Sequence, residues 1–375
     1  MFETLDIESL QQYWWLIIAF LGALLVMLMF VQGGQTLVWQ LGKTEEEKRM
    51  VINSIGRKWD LTFTTLVTFG GAFFASFPLF YATSFSGAYW VWIIILFSFV
   101  VQAVSYEFRS KAGNFLGART YEAFLLANGI VGPILIGAAV GTFFTGSEFY
   151  VSEYNLSEWK HSGMGIEAAL NGINLSLGLA VFFLSRVLGA QYLINNIAET
   201  FLHERCRKTL KMDAILFLMF FFGFLVPVLV KDGFALRDDG TIALESFKYL
   251  FNFLQMPIVF LIFLGGVLLV LWGIFLSLFK NSIKGIWYTG AGTVLAVFSL
   301  FLVAGFNGTA YYPSTYDLQS SLTIYNSSSS HYTLTAMSYV SLFVPIVVAY
   351  IWYAWRSMDS KKLDMQEINS KEELY

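Results

Sequence analysis

Apolar residues run along the chain in nine blocks of roughly 20, each closed by a short polar or charged stretch. They cover residues 13–34, 61–83, 86–106, 122–145, 167–189, 213–230, 252–279, 285–306 and 336–355. Each reads as a membrane-crossing helix, because lipid offers a bare peptide group no partner and a helix satisfies its own. The fifth block is expected to continue as helix towards residue 207, since VLGAQYLINNIAETFLHERCRK has no turn signal after Gly189. Pro78, Pro133, Pro227, Pro257 and Pro345 fall within or at the ends of blocks and mark kinks.

The cations alternate with the blocks. Of 23 Lys and Arg residues, all but Lys160, Lys231, Arg237 and Lys248 fall on one set of alternating loops and the final tail. By the positive-inside bias this places the N-terminus outside and residues 356–375 in a cytoplasmic tail. The acidic start MFETLDIESLQQ lacks the basic residues of a secretory leader, so the first helix is expected to be retained. Residues 307–335, rich in Ser, Thr and Tyr, read as a polar cap, and the whole of 1–375 as one membrane domain.

Composition narrows the chemistry. The chain is 57% hydrophobic and only 13% charged, about half the charge of a soluble domain. Basic residues are scattered over loops, so there is no nucleic-acid face. One cysteine, Cys206, excludes a disulfide framework and a thiolate metal cage. His161, His203 and His331 all lie outside the blocks, so no haem ligand, metal site or catalytic nucleophile is expected in this chain. The pairs at 33–34, 70–71 and 265–266 read as glycines for close helix contact rather than a phosphate loop.

The acids stand at block ends: Asp60, Glu107, Glu122, Glu167 and Asp213. Asp60, after Arg57, Lys58 and Trp59, is either a carboxylate at a helix N-terminus, worth ~0.3–1 kcal/mol, or a proton collector at the mouth of the bundle. Trp59 reads as an interfacial anchor ahead of a subunit contact. Glu107 reads first as a loop ion-pair residue and second as a relay member. Arg186 is expected to snorkel, and His203, Arg205 and Arg207 to lie first on a solvated helix extension and second on a basic face that meets anionic lipid or a partner subunit. Asn128, Asn171, Asn174 and Gln102 either line a polar path or bond across helices.

The segments INSIGRKWD (52–60), GGAFFASFPLFYATSFSGAY (70–89) and EFRSK (107–111) resemble subunit II of the cytochrome bd quinol oxidases. LHERCR (202–207), NFLQMP (252–257) and YPS (312–314) extend the likeness over nearly the whole chain. The resemblance implies an all-α fold of nine transmembrane helices, as two four-helix bundles plus one peripheral helix, in the bacterial cytoplasmic membrane. It implies a complex that oxidises quinol and reduces O2 to water, with haems b and d held by the partner, subunit I. This chain would stabilise that subunit, admit protons at Asp60 and offer O2 an apolar route. A structural quinone, lipids and a small accessory subunit are further partners the resemblance admits.

Two departures stand out. Relatives often carry DGFD where QGGQT stands at 32–36, so Gln32 and Gln35 cannot hold charge. A tryptophan that often follows WD is Thr65 here, which reshapes any O2 entrance built on it. The rival reading is a stand-alone transporter or channel for a small neutral solute, disfavoured by the lack of a charged or broken-helix site in mid-membrane.

Overall fold

Helices dominate the computed structural model, which describes residues 2–111, 113–359 and 361–364. The first half holds α1 (Ile7–Leu28), α2 (Phe30–Leu41), α3 (Glu45–Gly56), α4 (Trp59–Ser76) and α5 (Pro78–Phe80), then α6 (Tyr89–Phe108) and α7 (Ala118–Thr145). The second holds α8 (Ile166–Ala169), α9 (Gly172–Asn196), α10 (Thr200–Val230), α11 (Lys248–Gln255), α12 (Pro257–Phe279) and α13 (Gly285–Gly305). The last helix is stepped, as α14 (His331–Ser341) and α15 (Val344–Met358). Two small hairpins, β1 (Phe149–Val151) with β2 (Ser157–Trp159) and β3 (Asp232–Leu236) with β4 (Ile242–Ser246), sit in the loops.

Among the described residues, eight helical segments are long and apolar enough to cross a membrane, and nine if the bent pair Glu45–Ser76 and Pro78–Ser86 counts as one. That pair departs from the straight block expected at 61–83, because the chain turns through 120° between its two parts. Pro78 has no N–H to continue the ladder, and its ring excludes the helical conformation from Phe77 (φ −132°, ψ 66°). The first span is longer than its block: Ile7–Leu41 has 35 residues, ~52 Å at 1.5 Å per residue against a ~30 Å hydrocarbon layer. The seventh block is divided at Met256 by Pro257 into α11 and α12.

The expected run from the fifth block to residue 207 does not form. Helix α9 stops at Asn196, and residues 200–212 open α10 instead. The break has a tertiary cause. Ile197 is extended and pairs with Leu363, whose carbonyl accepts from Ala198 N at 2.9 Å while its own N–H donates to Asn196 at 3.0 Å. The rest of the tail, 365–375 with Lys371, lies outside the described residues.

Close approach sets the packing. A Cβ on Gly33 would lie 1.8 Å from the Ser185 carbonyl oxygen, so α2 and α9 cross in contact only because that residue is glycine. Gly266 of α12 is also tight against α13, where a Cβ would stand 2.6 Å from Ala296 N, whereas Gly71 and Gly265 meet nothing within 4 Å. The glycine pairs therefore mark close contact at some positions and not at others. Helices α9, α10, α12 and α13 form the second bundle, and α14 rests on α1 and α4 at the periphery. Of residues 307–335, expected as a polar cap, 331–335 open α14, and Tyr311 and Tyr312 bury among Trp15, Phe80, Phe143 and Phe149.

Candidate functional site

Ser98, Gln102 and Tyr106 recur every four residues and so share one face of α6. Gln32 and Gln35 of α2 and Asn128 of α7 meet this face. Gly129 makes the meeting possible, since a Cβ there would stand 2.5 Å from the Gln32 carbonyl oxygen. Gln32 Nε2 donates to Asn128 Oδ1 at 3.4 Å, and Asn128 Nδ2 donates to Ser98 Oγ at 3.2 Å. Gln35 Nε2 donates to Tyr106 OH at 3.1 Å. The result is a polar column inside the first half of the molecule, built almost wholly from neutral side chains.

Its outer end is charged. Glu122 accepts from Arg109 Nη2 and from Trp39 Nε1, both at 2.6 Å, with Lys48 Nζ 3.7 Å away. Their side chains are nearly closed off, 1% exposed for Glu122 and 4% for Arg109. An open pocket of about 620 Å³, lined by Trp39, Glu45, Lys48 and Arg119, reaches Glu122. Further in, Gln32 Oε1, Gln35 Oε1 and both amide atoms of Gln102 are buried and find no hydrogen-bond partner in the protein. A buried amide left without a partner costs about 1–3 kcal/mol per group, so these atoms set the column apart from the apolar packing around it.

Trp59 joins the column to the mouth: its ring stacks on Tyr106 at 6.0 Å and 18°. Asp60, next along, is exposed in the first turn of α4, where the helix dipole favours a carboxylate. Glu107 lies on the exposed side of α6, ion-paired with Lys111. Asn174 bonds across helices, accepting from Thr145 Oγ1 at 2.8 Å, while Asn171 caps α9.

Two sequence expectations are corrected. Arg186 does not snorkel: its guanidinium bonds Asp213 at 3.0 Å, Thr36 at 2.8 Å and Gln40 at 3.0 Å, and these fixed acceptors hold it. His203, Arg205 and Arg207 are not a solvated extension. Instead, His203 Nε2 contacts the Ile197 carbonyl at 2.8 Å, Arg205 donates to Leu41 O and Glu47, and Arg207 to Ser277 O and Asn281 O. These bonds cap the carbonyls freed by the breaks around them.

The second bundle encloses an apolar cavity of about 180 Å³ between α9, α10, α12 and α13, with Leu177, Val181, Phe217, Phe221 and Val270 in its wall. Thr293, its one hydroxyl, is spent on the Thr289 carbonyl at 2.8 Å. Neither this cavity nor the column offers a haem ligand. His203 is engaged as above, His331 reaches the Leu5 carbonyl at 2.9 Å, and His161 faces Glu167 at 3.4 Å. Among the described residues no three His, Cys, Asp or Glu side chains converge as a metal site.

The family model described as cytochrome bd terminal oxidase subunit II matches residues 10–358. The chain is 30% identical to the cytochrome bd-I ubiquinol oxidase subunit 2 of Escherichia coli strain K12, covering 94% of this chain and 95% of that protein. It is 27% identical to the cytochrome bd ubiquinol oxidase subunit 2 of Bacillus subtilis strain 168, covering 95% and 99%. In fold it is similar to a chain in the structure of bd oxidase from Geobacillus thermodenitrificans, with TM-score 0.57 and 11% identity over 96% of this chain and 98% of that one.

Proposed function

The chain belongs to the subunit II family of cytochrome bd terminal oxidases, and from that premise we propose that it feeds protons to a haem-bearing partner through Asp60 and the polar column behind Trp59. It is a multi-pass membrane subunit of a quinol oxidase complex, which sets aside the stand-alone transporter. Haems b and d reside in subunit I, and O2 is reduced there. This chain supports that subunit in the bacterial cytoplasmic membrane, with its Lys- and Arg-rich end on the cytoplasmic side.

The observation that carries the reading is the set of buried, unpaired amide atoms on Gln32, Gln35 and Gln102, in line with the Tyr106–Trp59 stack. O2 reduction consumes protons, and a bundle beside haems must otherwise stay dry. Amides titrate at no accessible pH, so Gln32 and Gln35 hold water rather than carry charge themselves. Asp60 is the group that collects the proton, and Glu107 serves its ion pair with Lys111 rather than the path. The apolar cavity suits O2 or the chain of a structural quinone or lipid. A groove of about 400 Å³ between α4 and α6, lined by Phe63, Val67, Phe74 and Trp92, suits O2 entry or contact with subunit I.

The test is Asp60→Asn in the purified complex, with O2 consumption measured per haem. Turnover is expected to fall while the haem spectrum stays intact. Full activity would leave Asp60 as a helix-terminal carboxylate and end the proposal.

A further inference from the structure

Lys58 is fully buried, although it stands two residues before the exposed Asp60. Its Nζ donates to Tyr192 OH at 2.8 Å and pairs with Asp359 Oδ1 at 2.5 Å. It also lies over the rings of Tyr192 and Trp355, 5.2 and 5.4 Å from their centroids. Asn196 Nδ2 donates to the same Asp359 oxygen at 2.8 Å, and Asn196 Oδ1 accepts from Ser54 Oγ at 2.7 Å. Three distant stretches thus meet on one ammonium: the α3–α4 junction, the end of α9 and the residues after α15.

The last of these is held at two points. Beyond Asp359, Leu363 is fully buried and bonded on both sides to the α9–α10 break. Helix α15 itself is largely exposed along Ile346, Val347, Tyr350, Trp352 and Tyr353, so few contacts hold its end apart from Trp355 and this strap. A lysine buried without an anion is strongly disfavoured, so Asp359 decides where the Lys58 ammonium rests. The charged groups acting on the clamp are Asp359 and Arg57, with Asp60 two residues along and Tyr192 supplying its hydroxyl.

We propose that Asp359 is a positioning residue for proton entry: by holding Lys58 inside the protein it keeps that cation off Asp60 and fixes the junction that aims Trp59 and Asp60. The inference rests on the proton-entry reading of Asp60. Without the Asp359 carboxylate, Lys58 leaves the interior and its flexible stem brings the ammonium to Asp60. A carboxylate paired in this way gives up its role as a free proton acceptor.

The experiment uses the whole oxidase complex and reads turnover per haem, the solvent deuterium isotope effect and thermal melting. Asp359→Asn is expected to lower turnover per haem about tenfold, short of the ~10²-fold that misplacement of a catalytic group can cost. It should also raise the isotope effect towards that of Asp60→Asn, and Asp359→Glu should restore both. Lys58→Met/Asp359→Asn buries no charge and frees no cation, so it should turn over faster than Asp359→Asn alone. Asp359→Asn with normal turnover and isotope effect per remaining haem overturns the proposal, whatever its melting temperature. A double variant as slow as the single one also overturns it. If Asp60→Asn has no effect, the entry reading itself falls; an effect there with none at Asp359 removes only the strap.

Discussion

Removing Arg109 tests the charged end of the column most directly. With charge centres roughly 4 Å apart and an effective dielectric near 20, its attraction to Glu122 is about 4 kcal/mol. Arg109→Met leaves the Glu122 carboxylate, 1% exposed, with Trp39 and a lysine at 3.7 Å. Breaking one side of such a pair costs about 3–5 kcal/mol. A ceiling comes from protonation: neutralising an ordinary carboxylate at pH 7 costs about 4 kcal/mol, and at pH 5 only about 1. The variant should therefore melt well below wild type at pH 7 and recover most of the loss at pH 5. Arg109→Met/Glu122→Leu should lie near wild type at both, because apolar replacement of both partners removes the desolvation penalty as well. Thermal melting of the detergent-purified complex, followed by tryptophan fluorescence, measures all three. A double variant as unstable as the single, or a single with no loss, would refute the argument.

Two further substitutions probe the packing and the path. Gly33→Ala forces a methyl to 1.8 Å from the Ser185 carbonyl oxygen; overpacking of this kind costs about 1–3 kcal/mol or more, and the yield of assembled complex should drop, whereas normal yield would show that α2 and α9 separate easily. Gln102→Leu removes two buried amide atoms: with a hydrated column, turnover per haem falls and melting hardly changes, whereas a higher melting temperature with full turnover would mean that the amide was dry.

Legibility in the sequence divides along physical lines. The spans, their number and the alternation of cations were readable because each depends on local composition: a helix must be apolar for about 20 residues to face lipid, whatever its neighbours. Asp60 and Trp59 were singled out by the motif that contains them, and the role given to them here is a proposal. Even the column left a trace in the four-residue spacing of Ser98, Gln102 and Tyr106, but spacing on one helix does not say which helix lies opposite.

That was decided by the crossings. Gly33 and Gly129 set how close α2 comes to α9 and α7, and so which amides meet. Arg186 found Asp213, 27 residues away, and Lys58 found Asp359, 301 away, only once the helices were packed. The α9–α10 break has no proline or glycine to announce it, because the strand-like pairing of Ile197 with Leu363 creates it. Sequence alone determined which stretches must leave water, since that cost is local and additive. Tertiary structure decided which buried polar groups are satisfied, since a hydrogen bond needs two partners and the second is supplied by the fold.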